Sequence, residues 1–304
     1  MSKSPNLCYF KSSMAKFVPD IKTQRWIVIA TQRIKRPDEA KKPIEEPQPH
    51  IDPFANGNEH LTPPEVFRIG DGDVNKPGWK VRVVPNKFPI TDIHEVIIHS
   101  PDAKRNIEDL ELEQVVHILQ AYRQRYQTHR KDGHVLIFSN HGIYAGASLT
   151  HPHSQLVVLP RQINLDALER EPINNVVEEN TYFTVYCPDF SQWPYEVWVA
   201  AKKEKTFFGD IADEEIKDLA GLLKSALSRL NGCYNNPEVK KLRADIPFSY
   251  NFYIYHGENW FVRIIPRLIH RAGFELGTGL SVNIIDPNDA AENLASKEFC
   301  GIER

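Results

Sequence analysis

Two stretches of this 304-residue chain follow one plan, and that repetition constrains the fold more than any other feature. In the first half, "EVIIH" (95–99) is followed by an amphipathic stretch, then "HVLIFS" (134–139), the pair His141-Gly142, and "SQLVVLPR" (154–161). In the second half, "EVWVA" (196–200) is followed by another amphipathic stretch, then "FSYNFYIY" (248–255), the pair His256-Gly257, and "WFVRIIPR" (260–267). Each copy reads strand, helix, strand, turn, strand. A supersecondary unit that occurs twice points to duplicated halves. Short links around one helix favour antiparallel pairing. The expectation is an α+β fold of two similar halves, 1–165 and 166–304, with a mostly antiparallel sheet and helices packed on it.

The amphipathic stretches have helical period. Leu110, Val115, Ile118, Leu119, Tyr122 and Tyr126 share one face of a helix expected over 107–130, which Lys131-Asp132-Gly133 ends. Ile216, Leu219, Leu222, Leu223, Ala226, Leu227 and Leu230 stripe the second helix. Trp26 to Thr31 and Lys80 to Val84 read as short strands. Between them, residues 36–78 are so rich in proline, charge and amides that they read as a long irregular connection.

Bulk properties narrow the function. Net charge is −3 with no long basic run, which argues against a nucleic-acid partner or an anionic membrane surface. No stretch reaches the roughly 18 consecutive apolar residues of a membrane span. The first ten residues lack a signal-peptide core. Cys8, Cys187, Cys233 and Cys300 are scattered singly, so neither a disulfide framework nor a cysteine-rich zinc site is indicated, and a reducing cytoplasm is the expected compartment.

The chemistry concentrates in "SNHGIYAGASLTHPHSQLVVLP" (139–160). A strand puts residues i and i+2 on one face, so His151, His153 and Gln155 line up after a Gly-rich loop. Three polar side chains in a row must find partners or do work. They could be structural histidines satisfied by backbone groups. They could be a metal pair, although no cysteine or obvious carboxylate completes it nearby. Or one imidazole could attack phosphorus and hold the phosphoryl group covalently, with one ring nitrogen fixed by an acceptor. Asn140, Ser148, Gln155 and the backbone from Gly142 through Gly146 to Ser148 could then donate to the phosphate oxygens. Aligned on the two "PR" ends, His151 and His153 fall opposite Gly257 and Asn259, and Gln155 opposite Phe261, so the pair exists in one half only. His94, His99, His117, His129 and His134 read as structural or exposed.

"SNHGxxAGASLTHPHSQ" resembles the active-site segment of the galactose-1-phosphate uridylyltransferase family, a branch of the histidine-triad superfamily. "WIVIATQRIKRP", "GNEHLTPPEVFRI", "VVPNKFPI", "SPDAKRNIEDL" and "PRLIHRAGFELGTGLSVN" are similar to further blocks of that family, in order. The resemblance implies two histidine-triad-like halves, the first carrying the site and the second a degenerate one. It implies that His153 is the nucleophile, that His151 positions it, and that Gln155 stands where hydrolytic relatives carry a third histidine. An amide can hold a phosphate but cannot move a proton, which favours transfer over hydrolysis. Ser148 and Asn140 match phosphate- and ribose-contacting positions. Arg33, Arg36 and Asn86 match residues lining the nucleotide site. Glu275 matches a sugar-contacting position that reaches the active site of the other subunit of a homodimer.

The implied activity is transfer of a nucleoside monophosphate from a nucleotide sugar to a sugar 1-phosphate through a nucleotidyl-histidine, as in galactose metabolism. A phosphorylase acting on a nucleotide sugar or a dinucleoside polyphosphate is the first rival, and a nucleotide-binding protein with little turnover the second. The chain departs from the family at its metal ligands. Asp52 and Ala55 replace a Cys-x-x-Cys pair, and Ala103 replaces a third ligand, which leaves His151 alone. At a second site His256 survives, while Asn259 and Phe261 occupy the other ligand positions. The expectation is a protein without metal or other cofactor, with packing around the 36–78 connection taking over what the metal would stabilise.

Overall fold

The computed structural model describes residues 15–19, 26–31, 33, 51–165, 167–242 and 247–301. In chain order its elements are β1 (Lys16–Pro19), β2 (Trp26–Ile29), β3 (Phe67–Gly70), β4 (Trp79–Pro85), β5 (His94–Ile98), α1 (Leu112–His129), β6 (His134–His141), β7 (His153–Leu159), β8 (Val176–Glu179), β9 (Phe183–Tyr186), β10 (Val197–Ala201), α2 (Asp213–Asn235), α3 (Pro237–Leu242), β11 (Tyr250–Ile254), β12 (Phe261–Pro266), α4 (Gly273–Thr278) and α5 (Pro287–Ala295). β1 and β2 form a two-stranded ribbon. The other strands form one ten-stranded sheet in the order β3-β4-β5-β7-β6-β11-β12-β10-β9-β8, every pair antiparallel. The order reads the same from either edge once the copies are matched. The repeated units therefore meet at the β6–β11 ladder, where Asn251 lies opposite Asn140. This is the α+β architecture that the sequence leads one to expect.

One face of the sheet carries the main core. Val81, Val83, Ile97, Val135, Ile137, Leu156 and Val158 point from the first five strands to α1, and Val185, Val197, Val199, Phe252 and Ile264 point from the other five to α2. The opposite face differs between the halves. In the second half it is filled: Phe261 is stacked between Trp198 (3.9 Å) and Tyr255 (4.9 Å). Arg263 forms a bidentate pair with the buried Glu196 (2.6 and 2.9 Å). Asn259, at the position matching His153, takes a left-handed φ and accepts the Lys205 N–H (2.8 Å), so it ties two loops together. In the first half the same face holds a small cluster of Phe54, Trp79, Val84, Val96 and Ile98, and is otherwise open.

The structure corrects three boundaries. Residues 36–78 contain a strand: Phe67 and Ile69 pack on the helix-side core while Arg68 pairs with Glu65 on the other face. Its short alternation is masked by the prolines before it. Helix α1 starts at Leu112 and not at 107. Ile107 and Leu110 are buried as their spacing requires, but they sit in a turn closed by Leu110 N–H to Asn106 O (3.0 Å), and the extended Glu111 separates that turn from the helix. Strand β7 starts at His153 and not at His151, because Pro152 has no N–H for a ladder and His151 lies outside it. Strands β8 and β9 were not singled out in the sequence.

Helix α1 is tied to the sheet by a buried charge cluster. Glu95 on β5 accepts from Arg125 at both oxygens (2.9 and 2.6 Å) and lies 3.0 Å from His129 Nε2. Burial alone would raise the Glu95 pKa, but the hydrogen bonds from His129 and Arg125 outweigh it and hold it below the usual 4.5. The bond to Glu95 raises His129 above 6.5, against burial. The Glu95 contribution is therefore present above pH 4.5 and lost as pH falls through its folded pKa. The His129 contribution is complete below pH 6.5 and lost as pH rises through its folded pKa. Replacing Glu95 with Gln leaves Arg125 buried without its counter-charge, which costs about 3 kcal/mol. Urea unfolding across a pH series should show the largest gap between wild type and Glu95→Gln from pH 4.5 to 6.5. A gap that keeps growing above that window would contradict the role given to His129.

Candidate active site

Strand β7 alternates between the two faces. Ser154 points to the helices, where it meets His99 Nε2 (2.7 Å), and Tyr122 OH lies 3.0 Å from the same nitrogen. Burial holds His99 well below the usual imidazole range, helped by the nearby His153, His151 and His141. The ring behind the strand is therefore neutral. His153 and Gln155 point to the open face. His153 Nδ1–H donates to the carbonyl of His151 (2.8 Å). A carbonyl only accepts, so this bond selects the tautomer with the lone pair on Nε2.

His153 stands on the wall between two cavities. One, of about 290 Å³, is lined mainly by apolar groups such as Phe54, Leu61, Pro63, Val84 and Phe88, with Thr62, Asn86, Lys87, Ser148 and Gln155 as polar members beside His153. The other, of about 500 Å³, carries more polar side chains, among them Lys104, Asn106, Asn140 and His141, beside Phe248 and Tyr250. The loop from Gly142 to Ser148 frames both. Gly142 and Gly146 have φ of 81° and 77°, a region that favours glycine, and a Cβ on Gly142 would collide with Ser249. The turn between the strands can therefore lie flat against the second half.

The structure brings His153, Gln155, Ser148, Asn86 and Asn140 to the linings of these two cavities, while Gly146, in the loop that frames them, lines neither. It places the others elsewhere. His151 is 1% exposed and lines only the larger cavity; its Nδ1 lies 2.7 Å from Asp52 Oδ2 and its Nε2 lies 2.8 Å from the Ser100 carbonyl. Arg33 reaches back to the Phe88 carbonyl (2.7 Å), at the edge of the apolar cavity. Arg36 lies outside the described residues. Glu275 sits on the exposed helix α4, accepts the Ala272 N–H (3.0 Å), and lines neither cavity. His94 was read as structural or exposed. It is 4% exposed, and its Nε2 lies 3.0 Å from Gln155 Oε1. Only the β5–β7 register brings it there. Asn251, a polar residue within the apolar run "FSYNFYIY", was a readable signal that went unused. Its Nδ2 donates to Asn140 Oδ1 (2.8 Å) and to the Ala145 carbonyl (2.9 Å).

The residues at the first metal position do not fit a zinc ion. Asp52 and His151 are in direct hydrogen-bond contact, with no room for an ion between them, and Ala55 and Ala103 offer no donor atom. Among the described residues no group of three or more His, Cys, Asp or Glu side chains could hold a metal. His151 has both ring nitrogens facing oxygens, the Asp52 carboxylate and the Ser100 carbonyl. Asp52 also accepts the Phe54 N–H through Oδ1 (2.9 Å) and its carbonyl accepts from Asn58 (2.8 Å). The pair thus pins the turn that carries Phe54, whose ring sits edge-on to His151 and His153. The following segment is held by buried Arg82, which donates to Glu65 (2.7 Å) and Thr62 (2.9 Å), and by Trp79 donating to Glu59 (2.8 Å).

Residues 89–160 match the family model for the N-terminal domain of galactose-1-phosphate uridyl transferase. The chain is 28% identical to ADP-glucose phosphorylase of Arabidopsis thaliana over 316 residues, covering 89% of each protein. It is 24% identical to galactose-1-phosphate uridylyltransferase of Thermotoga maritima over 317 residues, covering 91% of this chain and 96% of that one. Among solved structures, ADP-glucose phosphorylase from Arabidopsis thaliana with bound ADP-glucose superposes with a TM-score of 0.68 at 25% identity, covering 93% of this chain and 98% of that one. Among the described residues no helix is long and apolar enough to cross a membrane. With its ten-stranded sheet and its match through β7, the chain is similar along most of its length to proteins of the galactose-1-phosphate uridylyltransferase family, and it is an enzyme of the nucleotidyl-transfer type, a nucleotidyltransferase or phosphorylase.

Proposed function

We propose that the protein moves a nucleoside monophosphate from a nucleotide sugar to a phosphate-bearing acceptor through a covalent intermediate on His153. The observation that carries this reading is the His153 ring itself: its tautomer is set by the His151 carbonyl, and it stands between two cavities. The apolar cavity takes the nucleoside, and the polar one takes the sugar phosphate. His153 Nε2 attacks the α-phosphorus. The P–N bond forms as the bond to the bridging oxygen breaks, and the bonding pair leaves with the sugar 1-phosphate. An acceptor phosphate oxygen then attacks the same phosphorus, and the P–N pair returns to Nε2. Gln155, Ser148 and the backbone near Gly146 hold the phosphoryl oxygens while charge develops on them. Gln155 exchanges no proton, so it gives water no general base. Asn86 and Asn140 line the two sides, and Arg33 flanks the nucleotide.

A sugar 1-phosphate is the acceptor in the first reading, because a cavity that releases one sugar phosphate can admit another. Inorganic phosphate is the acceptor in the second, which the likeness to ADP-glucose phosphorylase over 89% of both chains favours. We assign 1–165 as the catalytic half and 166–304 as the supporting half. The exposed Phe274, Leu276, Leu280 and Val282 around Glu275 support a homodimer in which α4 faces the other subunit. The free Cys187, Cys233 and Cys300 suit a reducing cytoplasm. The Asp52–His151 pair supports a site that works without a metal.

Incubation with UDP-glucose, ADP-glucose or diadenosine tetraphosphate, without acceptor, should give a nucleotidyl adduct by intact mass from one of these donors. His153→Ala should slow its formation by about a thousandfold or more. Galactose 1-phosphate and inorganic phosphate, added separately, should discharge the adduct to different products and so separate the two readings. An adduct that persists in His153→Ala, or tight binding with no adduct, sinks the transfer mechanism. Elemental analysis should find substoichiometric zinc, and Asp52→Asn should cost about 1–3 kcal/mol of stability. Stoichiometric zinc would refute the metal-free site.

A further inference from the structure

We propose that His94 and Asn251 are positioning residues that aim the two amides of the site, so that Gln155 and Asn140 present their NH2 groups to opposite sides of His153. This rests on the nucleotidyl-transfer reading and adds two residues to it.

A side-chain amide is nearly symmetric in shape and opposite in polarity at its two ends. Its NH2 end attracts a phosphate oxygen and its carbonyl end repels one. Something must choose between them, and here a backbone group of fixed polarity makes each choice. The Ile90 N–H donates to His94 Nδ1 (2.9 Å). A backbone N–H cannot accept, and its 2.9 Å contact is shorter than the 3.1 Å from the Asn86 NH2 to Nε2, so the His94 proton is placed on Nε2, 3.0 Å from Gln155 Oε1. The Phe88 N–H donates to Asn86 Oδ1 (2.8 Å) and so turns the Asn86 NH2 toward His94 Nε2 (3.1 Å) and, at the limit of hydrogen-bond reach, toward the same Gln155 oxygen (3.5 Å). Two donors converge on Oε1. Reversing the Gln155 amide would set its NH2 against both of them. In the observed orientation Gln155 Nε2 has no protein partner among the described residues, and the side chain lines the apolar cavity beside His153.

The same logic operates across the seam between the halves. The Ala145 carbonyl can only accept, so the group 2.9 Å from it must be the Asn251 NH2. The second hydrogen of that NH2 goes to Asn140 Oδ1 (2.8 Å). Asn140 is thereby turned with its own NH2 away from Asn251. Asn140 lines the larger cavity, and its Nδ2 has no protein partner among the described residues. One amide therefore serves each side of the reacting phosphorus. Donors into an amide oxygen also polarise its N–H bonds, which strengthens them as donors to an anion.

The test is a set of double-mutant cycles on the single-turnover rate of His153 nucleotidylation, read by intact mass. His94→Phe keeps a ring and removes the donor; Asn251→Leu keeps the size and removes the amide. Each should slow adduct formation on the order of tenfold to a hundredfold, as removal of an oriented donor does. In the matched pairs the losses should not multiply: His94→Phe should add nothing to Gln155→Met, and Asn251→Leu nothing to Asn140→Ala. In the crossed pairs, His94 with Asn140 and Asn251 with Gln155, the losses should multiply. A general packing defect would multiply in all four. Asn251→Asp is isosteric and cannot donate to Asn140, so it should show the same loss if the leucine variant does not fold. Multiplying losses in the matched pairs, or wild-type rates in His94→Phe or Asn251→Asp, overturn the positioning roles while leaving the transfer reading intact. No adduct in wild type overturns the transfer reading, and the positioning roles with it.

Discussion

The β6–β11 ladder is the constraint on which the rest of this structure depends. It joins two five-stranded units into one sheet, and it sets Asn140 opposite Asn251 at the seam. Without it each unit would expose an edge strand of unpaired backbone groups. With it, the Gly-rich turn after β6 lies against Ser249 and accepts a hydrogen bond from Asn251 at Ala145. The second half thus supports the turn that frames His153, although its own matching positions hold Asn259 and Phe261.

The two halves keep one scaffold and use its open face in opposite ways. In the second half that face is filled by the Trp198, Phe261 and Tyr255 stack and by the buried Arg263–Glu196 pair. In the first half it is left open, and polar side chains stand where the other half stacks rings. Buried polar groups are costly unless satisfied. Each one here is satisfied on its protein side: His153 by a carbonyl, Gln155 by His94, Asn140 by Asn251, His151 by Asp52 and Ser100. The second and third leave donors directed at the cavities.

At the positions where the resemblance implies zinc ligands, this chain has the Asp52–His151 hydrogen bond and a turn. Asp52 uses one carboxylate oxygen for His151 and the other for the Phe54 N–H. It thereby links strand, turn and aromatic wall with one side chain. The Arg82, Glu65, Glu59 and Trp79 network behind it is buried and holds the rest of the segment. Packing around this connection was expected to replace a metal. The strand at Phe67 was not, because three residues of alternation beside many prolines carry little signal.

Local pattern and repetition were enough, in the sequence alone, for the two-half α+β plan, both helices and the grouping of His153, Gln155 and Ser148. These depend on periodicity and on neighbours in the chain. The tertiary structure decided what depends on register between distant strands. It placed His94 behind Gln155, Asn251 behind Asn140, Asp52 on His151, and His153 between two cavities. The three pairs are separated by 61, 111 and 99 residues. No period within either partner's own segment encodes such a meeting, because the contact exists only once the strands have been laid side by side.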